Sequence, residues 1–365
     1  DVESRGLGDV YKRQYFKCFM KTIDFYLIHP YAYDANSALK YLQIDNIQGK
    51  YSFNWNKDTP QYLIASEQIY NNPKLNSVFL KLLEKAKILI FFTREAQTPD
   101  FNIFDYAIGF DLNLNFGDRF IQLPTAFDIY PDFINLRHNS FQLEDAKKEF
   151  VSKKGFCNFL YSNPKSHPIR DQLFYKLSEY KKVDSLGMHL NNVQRVGTGY
   201  KGHELDCIEL KRPYKFSIAS ENAEFNGYTS EKILTSLCAH TVPIYFGDPS
   251  VGEIVNPKCF INVSKFKDLD ELLEYVKMID CDDSKYVSML SEPWQTPEQE
   301  LISRKRQADY IAFWDNIFAQ DFDIARRKGR GCRPDIYQKF FESVKIKSKP
   351  KSLIVLYNYF RTHFR

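Results

Sequence analysis

Residues 214–248, YKFSIASENAEFNGYTSEKILTSLCAHTVPIYFGD, contain two apolar runs on either side of a segment with helical spacing. The runs at 214–222 and 241–248 predict strands, and residues 230–240 predict a helix that Thr229 or Ser230 can cap. A strand, a helix and a second strand in succession form a βαβ unit, in which the two strands are parallel. This stretch therefore predicts an α/β fold with a parallel sheet.

The same alternation extends over most of the chain. It predicts strands at 22–30, 87–93, 104–111, 118–124, 156–163 and 259–266, and helices at 75–87, 167–182 and 268–279, the last capped by Asp268. A charged stretch at 142–155 divides the pattern and is either a linker or a surface helix. We therefore expect two α/β domains, at 20–150 and 151–325.

The two ends of the chain differ from this pattern. Residues 1–14 resemble translated adapter sequence, so we expect 1–19 to be an artefactual leader before the first strand. Residues 326–365 form a basic aromatic tail with a charge of +10, against +4 for the whole chain. This tail is either solvated and disordered or an interfacial helix on anionic lipid. Nucleic-acid binding is disfavoured because the rest of the chain is mildly acidic.

Composition excludes several classes of protein. With 365 residues, 44% hydrophobic and 26% charged, the chain has the composition of a two-domain globular protein and not of a disordered one. Its seven cysteines include no CxxC pair, which favours free thiols in a reducing compartment. No apolar run reaches the length of a membrane-spanning helix.

Ligands of parallel α/β sheets bind beyond the carboxyl ends of the strands. Four such positions carry polar side chains, and one of them precedes the helix that carries Arg170. They are Glu95, Asn163, Glu221-Asn222 and Gly247-Asp248.

The start of the helix at 230–240 is the most informative of these places. A helix N-terminus carries about half a positive charge and attracts anions. Lys232 is unfavourable there unless an anion lies nearby, and a bound phosphate would supply one. Tyr228 can stack on a base or bind a sugar, and Glu231 can accept from sugar hydroxyls. These residues suit a nucleotide diphosphate sugar, although Glu221 and Glu231 can equally have structural roles.

The same residues resemble a known family. YKFSIASENAEFNGYTSEKI with HTVPIYFGDPSVGEIVNPKCFINVSKF is similar to the donor-binding signature of the α-1,3/4-fucosyltransferases, glycosyltransferase family 10, especially the bacterial enzymes. FFTREAQTPDFNIFDYAIGFDLNLNFGDRFIQLP resembles the family's acceptor-side segment, and FCNFLYSNPKSHPIRDQLFYKLSEY resembles its interdomain arginine segment. The resemblance covers about residues 88–135 and 155–300.

This resemblance implies a GT-B fold, with two Rossmann-like domains facing across a cleft. The C-terminal domain would bind GDP-fucose and the N-terminal domain a glycan. The implied reaction is inverting transfer of L-fucose from GDP-β-L-fucose to the 3-hydroxyl, or as second choice the 4-hydroxyl, of N-acetylglucosamine. No cofactor is required, and a divalent metal is at most stimulatory.

The implied acceptors are N-acetyllactosamine-type glycans or surface-polysaccharide precursors, as in protein glycosylation and in the synthesis of lipopolysaccharide and Lewis antigens. The expected location is the bacterial cytoplasm, with peripheral contact to the inner face of the cytoplasmic membrane through 326–365. No nucleic-acid partner is expected.

By motif position, the resemblance assigns one catalytic base and six donor-binding residues. These are Glu95 as the base, and Arg170, Glu221, Asn222, Tyr228, Glu231 and Lys232 at the donor. The chain has Thr229-Ser230 where the family usually has Val-Thr, and the residues after Glu95 also depart from the family pattern. If Glu95 is not the base, Asp105 and Asp111 are the next candidates.

Other interpretations stay open. The protein can use another GDP-sugar, bind a glycan or nucleotide without catalysis, or act mainly through its tail. Arg170 can pair with Asp171 or Glu179 on its own helix, and it is not expected in the core. The sequences at 268–270 and 321–323 match the DxD metal pattern. GTGYKG at 197–202 has the spacing of a nucleotide-binding loop, but it does not lie between a predicted strand and a predicted helix.

Overall fold

The computed structural model describes residues 20–47, 49–123, 141–193 and 204–329. The predicted leader, the GTGYKG segment and residues 330–365 of the predicted tail lie outside the described residues. Within them, the contacts define two units, one built from 20–92, 100–107 and 313–329, the other from 93–99 and 108–312. The predicted domain boundaries stay a prediction.

The first sheet has six strands in the order β2-β1-β3-β4-β5-β6. Strand β1 pairs in parallel with β2 and β3, and β3 pairs in parallel with β4. Every side chain of β4, ILIFF, is buried, as expected for a continuous apolar run inside a parallel sheet. The strands are β1 Lys21–Ile28, β2 Tyr51–Trp55, β3 Tyr62–Ser66, β4 Ile88–Phe92, β5 Tyr106–Gly109 and β6 Phe120–Gln122. The helices before β5 are α1 Ala35–Leu42, α2 Gln68–Asn71 and α3 Pro73–Leu82.

The second sheet has five strands in the order β11-β10-β9-β7-β8, and its pairings are parallel. Its strands are β7 Gly155–Phe159, β8 Val183–Ser185, β9 Tyr214–Ser220, β10 Val242–Phe246 and β11 Ile261–Asn262. The helices of this part of the chain are α4 Leu143–Ser152, α5 Ile169–Ser178, α6 Glu204–Lys211, α7 Glu231–Cys238, α8 Leu269–Asp280 and α9 Asp283–Ser291. The predicted strand–helix–strand unit at 214–248 is thus β9, α7 and β10.

A long helix, α10 Pro297–Ala319, and a short one, α11 Phe322–Ala325, follow. The last turns of α10 belong to the first unit, where Trp314 and Phe318 are fully buried. Asp315 accepts a hydrogen bond from the Tyr51 hydroxyl at 2.7 Å and pairs with Lys50 at 2.6 Å. The sequence pattern does not predict α10, because its apolar side chains do not follow one clear stripe.

Asp105, one of the alternative bases, lies in the first unit and is fully buried. Its carboxylate accepts hydrogen bonds from the backbone N–H groups of Leu89, Arg327 and Lys328 at 2.9, 3.0 and 2.8 Å. Its oxygens are therefore engaged in holding residues 327–328 on this unit, which is a structural role.

The predicted strand at 259–266 is largely wrong. Only Ile261 and Asn262 pair with β10, and 3₁₀ turns lie on either side at Pro257–Cys259 and Val263–Lys265. Asn256 and Asn262 start these turns, because their side-chain oxygens accept from the backbone N–H groups of Lys258 and Ser264. Such local side-chain hydrogen bonds compete with strand pairing.

Asp280, at the end of α8, holds two lysines in the second unit. Its side chain is 2% exposed, and its carboxylate lies 2.5 Å from Lys181 Nζ and 2.6 Å from Lys215 Nζ. Burial would raise the pKa of Asp280, but the hydrogen bonds and charges of the two lysines outweigh burial and hold that pKa below its ordinary value. Asp280 therefore contributes stability above the ordinary carboxyl pKa and loses it as the pH falls through its own lower pKa.

We expect Asp280→Asn to lower the free energy of unfolding at neutral pH by about 2 kcal/mol, because hydrogen bonds to a charged group are lost. Urea denaturation measures this change. The difference from wild type should shrink as the pH falls below the ordinary carboxyl range. Glu144→Gln is the control, since the pair of Glu144 with Lys147 is exposed and should contribute little. Equal destabilisation by both variants would contradict the role of Asp280.

Candidate active site

A cavity of about 380 Å³ lies in the second unit, at the carboxyl ends of β7 and β9. The residues after β7, the first turn of α5, the end of α6 and the first turns of α7 surround it. Its lining residues are Arg94, Glu95, Leu160, Tyr161, Ser162, Asn163, Arg170, Cys207, Lys211, Asn222, Tyr228, Glu231, Lys232 and Thr235.

Glu221, the residue after β9, is fully buried behind this lining. Its carboxylate accepts hydrogen bonds from the Ser230 backbone N–H at 2.8 Å and the Ser230 hydroxyl at 2.6 Å. It also accepts one from Lys232 Nζ at 2.9 Å. Ser230 is the N-cap residue of α7, as predicted, but its own side chain does not cap the helix. The carboxylate of Glu221 instead satisfies the N–H at the start of this helix.

Lys232 therefore has anionic partners within the chain. Besides Glu221, its ammonium lies 3.5 Å from a Glu231 carboxylate oxygen. Burial alone would lower the pKa of Lys232, but the two carboxylates outweigh it and hold that pKa well above its ordinary value. Desolvation would raise the pKa of Glu231, yet Lys232 and local hydrogen bonds lower it. Lys232 and Glu231 both keep their charges at neutral pH.

Two glycines allow this arrangement. A Cβ at Gly247, whose φ is +153°, would lie 2.4 Å from Cγ of Glu221. A Cβ at Gly227, whose φ is +92°, would lie 2.2 Å from the Phe110 carbonyl oxygen. Gly227 also donates its N–H to Asp248 at 2.8 Å. The chain can take this path at both positions only because neither residue has a side chain.

The turn at Gly227 brings Tyr228 to Glu95. The Tyr228 hydroxyl donates a hydrogen bond to Glu95 Oε2 at 3.0 Å, and the Tyr228 ring packs edge-on against Phe110. Burial raises the pKa of Tyr228 well above its ordinary value, so the phenol stays protonated and acts as the donor. Glu95 therefore has one oxygen engaged by Tyr228 within the cavity.

Arg170 is 1% exposed, so the expectation that it lies outside the core is wrong. Its Nη2 donates to the Ser220 carbonyl and to Asn222 Oδ1, both at 2.8 Å, and its guanidinium lies 4.1 Å from the centre of the Tyr161 ring. Its Nε has no hydrogen-bond partner among the described residues. An anion in the cavity can satisfy the remaining N–H groups of this side chain.

The alternative pairing of Arg170 within its own helix is not observed. Asp171 contacts His189 at 2.8 Å, and Glu179 pairs with Lys176 at 2.8 Å. Both carboxylates are thus used elsewhere, which leaves the Arg170 side chain directed to Ser220 and Asn222.

The structure brings together six of the seven predicted site residues as cavity lining: Glu95, Arg170, Asn222, Tyr228, Glu231 and Lys232. Glu221 does not line the cavity. Asp248 is also outside the lining, and it supports the loop by accepting from Gly227 N–H and the Thr229 hydroxyl. The catalytic and donor-binding roles of all seven residues stay predictions.

Sequence reasoning missed Lys211, Tyr161 and Cys207 as lining residues. Lys211 ends α6, a helix that the pattern does not predict, and its place beside α7 depends on tertiary packing. Asp111, the other alternative base, accepts from the Thr98 hydroxyl at 2.8 Å and from Asn113 N–H at 3.0 Å.

The two DxD sequences lie at the N-termini of helices. Asp268 caps α8 by accepting from the N–H groups of Asp270 and Glu271, and Asp270 pairs with Lys176. Asp321 is at the N-cap position of α11. Within the described ranges, no group of three or more His, Cys, Asp or Glu side chains is arranged to hold a metal.

Comparison with known protein families gives two matches. Residues 150–313 match glycosyltransferase family 10 (fucosyltransferase), C-terminal part, and residues 31–130 match the alpha-(1,3)-fucosyltransferase FucT N-terminal domain. Together the two matches cover well over half of the chain. The protein belongs to glycosyltransferase family 10, as its motifs predicted.

Two curated relatives show how far the similarity extends. The chain is 31% identical over 290 residues to the alpha-(1,3)-fucosyltransferase FucT of Helicobacter pylori, covering 70% of this chain and 58% of that protein. It is 32% identical over 188 residues to GDP-fucose protein O-fucosyltransferase 3 of Bos taurus, covering 46% of this chain and 39% of that protein. The chain thus spans less than two thirds of the length of either relative.

Among solved structures, a crystal structure of an alpha1,3-fucosyltransferase with GDP-fucose superposes with a TM-score of 0.61 at 24% identity. The match covers 82% of this chain and 92% of that one. Together with the two sheets, this likeness confirms the predicted α/β fold of the GT-B type. Along the described parts of the chain, no helix has the length and hydropathy needed to cross a bilayer.

We expect Glu221→Gln to lower the free energy of unfolding by on the order of 3 kcal/mol, because one amide oxygen cannot replace a buried carboxylate that accepts from three donors. Thermal and urea denaturation measure the change. Glu224→Gln, in the same loop but exposed, is the control and should change stability by less than about 0.5 kcal/mol. A Glu221→Gln protein as stable as this control would show that the buried network is not needed for folding.

Proposed function

We propose that the protein is an inverting glycosyltransferase that moves L-fucose from GDP-β-L-fucose to a hydroxyl of N-acetylglucosamine in a glycan. One observation carries this proposal: a single cavity contains the carboxylate of Glu95 together with the cationic side chains of Arg170 and Lys232. Transfer needs a base for the acceptor hydroxyl and positive charge for the leaving GDP. Both kinds of group line the same space.

The departing diphosphate gains negative charge as the bond to fucose breaks. Fixed cations that stabilise this charge lower the barrier, since the site need not reorganise during the reaction. Arg170 suits this role because its guanidinium is already held by Ser220 and Asn222 and is buried against Tyr161. A planar guanidinium can contact two phosphate oxygens at once.

The acceptor hydroxyl must lose a proton as it attacks the anomeric carbon. Glu95 suits the role of base, because the hydrogen bond from Tyr228 fixes one of its oxygens and leaves the other for the acceptor. For inversion, the base and the leaving diphosphate lie on opposite faces of the fucose ring. This requirement favours a carboxylate and a guanidinium at separate parts of the cavity wall.

Glu221 has a supporting part in this proposal. Its carboxylate is taken up by Ser230 and Lys232, so it positions the first turn of α7 and does not contact the donor. Asn222, Tyr228 and Glu231 line the cavity and are available to the nucleotide and the sugar.

For the acceptor we propose an N-acetyllactosamine-type glycan or a surface-polysaccharide precursor, with the 3-hydroxyl of N-acetylglucosamine as the first choice. The relatives described above have different acceptors in their names, one being a protein O-fucosyltransferase, so family membership does not select the acceptor. We further propose a bacterial cytoplasmic location with peripheral membrane contact through the basic residues of 326–365.

Turnover tests the proposal directly. GDP-fucose should be converted to GDP and a fucosylated product with N-acetyllactosamine or lactose as acceptor. Turnover only with another GDP-sugar would support the second hypothesis, a transferase with a different donor. Donor binding without any turnover across an acceptor panel would support a catalytically silent binding protein.

We expect Glu95→Gln to bind GDP-fucose nearly as well as wild type but to transfer fucose about 10²-fold more slowly or worse, because the amide keeps the size and loses the basicity. Calorimetry gives the affinity and product analysis gives the rate. Asp111→Asn is the matched control and should retain most of the activity. If the control loses activity while Glu95→Gln keeps it, the base is Asp111.

We expect GDP to bind in the presence of a chelator, and UDP to bind much more weakly. The cavity offers arginine and lysine side chains for the diphosphate, so no divalent ion is needed to neutralise it. Calorimetry with and without chelator measures both nucleotides. Loss of GDP binding on addition of chelator would overturn the metal-free proposal.

A further inference from the structure

Lys211, the last residue of α6, is a lysine of the cavity lining to which the resemblance assigns no role. It is only 5% exposed. Its Nζ donates to the Thr235 hydroxyl at 2.7 Å, to the Ser236 hydroxyl at 3.1 Å and to the Lys232 carbonyl at 3.4 Å. All three acceptors lie in the first turns of α7, so the ammonium is fixed in place.

The partners of Lys211 differ in kind from those of Lys232. Lys232 has two carboxylates, whereas Lys211 has only neutral oxygen acceptors, and no carboxylate forms an ion pair with it in the described part of the chain. A buried ammonium with neutral partners keeps most of its electrostatic field for any anion that enters the cavity. Burying an ammonium without an anionic partner is energetically costly. An anion that binds in the cavity would offset this cost.

The charges of the cavity support the same conclusion. The lining contains four cationic side chains, Arg94, Arg170, Lys211 and Lys232, and two carboxylates, Glu95 and Glu231. The buried carboxylate of Glu221 behind Lys232 removes one further charge. Counted over these described side chains, the net positive charge of the cavity depends on the protonation of Lys211.

The start of α7 does not replace this charge. Glu221 accepts from the Ser230 N–H, and Glu231 lies in the first turn, so the helix N-terminus already has two carboxylates beside it. An incoming diphosphate would meet these carboxylates, and it needs compensating cations that are not already paired.

We propose that Lys211 is a further donor-binding residue, whose protonated side chain supplies the unpaired positive charge to which, together with Arg170, the diphosphate of the GDP-sugar binds. The proposal rests on the proposed function, because it takes the cavity to be the donor site. Burial, the largest influence, and the charge of Lys232 together outweigh the opposing effects of Cys207, Glu231 and Cys238, so the pKa of Lys211 falls to about 8. Donor binding should therefore weaken as the pH rises above about 8 and should take up a proton near that pH.

The test compares Lys211→Met with Lys258→Met. Lys258 is an exposed lysine of the same unit, outside the cavity, so its variant controls for the change in net charge. We expect Lys211→Met to weaken GDP-fucose binding at pH 7 by about tenfold or more, as for a lost charge-assisted interaction, and Lys258→Met to bind as wild type. Guanosine, which has no phosphate, should bind both variants and wild type equally.

Two further measurements separate charge from packing. Calorimetry near pH 8 in two buffers of different ionisation enthalpy should detect proton uptake on GDP-fucose binding by wild type and none by Lys211→Met. The Lys211→Arg variant stays charged at pH 9, so its affinity for GDP-fucose should not fall between pH 7 and pH 9 as the wild-type affinity does. Any titration of GDP-fucose itself affects both proteins equally. Thermal denaturation checks that each variant is folded.

The outcomes distinguish this inference from the proposed function. If wild type does not bind GDP-fucose or GDP at all, the proposed function fails. If wild type binds and Lys211→Met binds equally well, or both proteins take up the same number of protons, the role of Lys211 is refuted while the proposed function stands.

Discussion

The buried carboxylate of Glu221 is the interaction on which the site depends. Glu221 directly follows β9, accepts from the N–H of Ser230, the N-cap residue of α7, and pairs with the ammonium of Lys232. A buried carboxylate is unfavourable unless several donors surround it, and here three donors do so. Burial still raises the pKa of Glu221, partly offset by Lys232 and Ser230. The end of β9, the start of α7 and Lys232 are therefore coupled, because Ser230 and Lys232 both donate to this one carboxylate.

Because of this coupling, the source of negative charge beside Lys232 differs from the one that the sequence suggests. From sequence, Lys232 at a helix N-terminus needs an external anion, and a phosphate is a natural candidate. In the structure, Glu221 and Glu231 already provide the negative charge. Within the described residues, Arg170 and Lys211 donate to neutral oxygens and form no ion pair, so their charges are available to a second anion. The helix dipole alone does not explain a phosphate site here.

The sequence predicts the β9–α7–β10 unit well, because apolar runs and a helical stripe alternate there without ambiguity. It also correctly places Glu95 shortly after a strand and Arg170 on a helix that follows a strand. It does not predict that Tyr228 donates to Glu95, since the two residues are 133 positions apart and meet only through tertiary structure. Lys211 is missed for the same reason.

Local chemistry explains the other errors. At β11, the side chains of Asn256 and Asn262 bind nearby backbone N–H groups, and this local competition shortens a strand that hydrophobicity alone would extend. At Arg170, charge alone suggests a surface position, but the Tyr161 ring and the Ser220 carbonyl provide a buried one. In both cases a specific polar partner, which a periodicity pattern cannot show, decides the outcome.

The pKa values of the cavity residues distinguish the two proposed tasks of the site, which are diphosphate binding and base catalysis. Lys232 and Tyr228 have raised pKa values and Glu231 a lowered one, so none of the three changes protonation state through the neutral range. Lys211, with a pKa of about 8, is a lining group that changes its protonation state in the weakly alkaline range. A base of the carboxylate class, by contrast, loses activity when it is protonated at acid pH. Loss of donor affinity at high pH and loss of rate at low pH therefore belong to different residues, and the two limbs of one pH profile report separately on the diphosphate site and on the base.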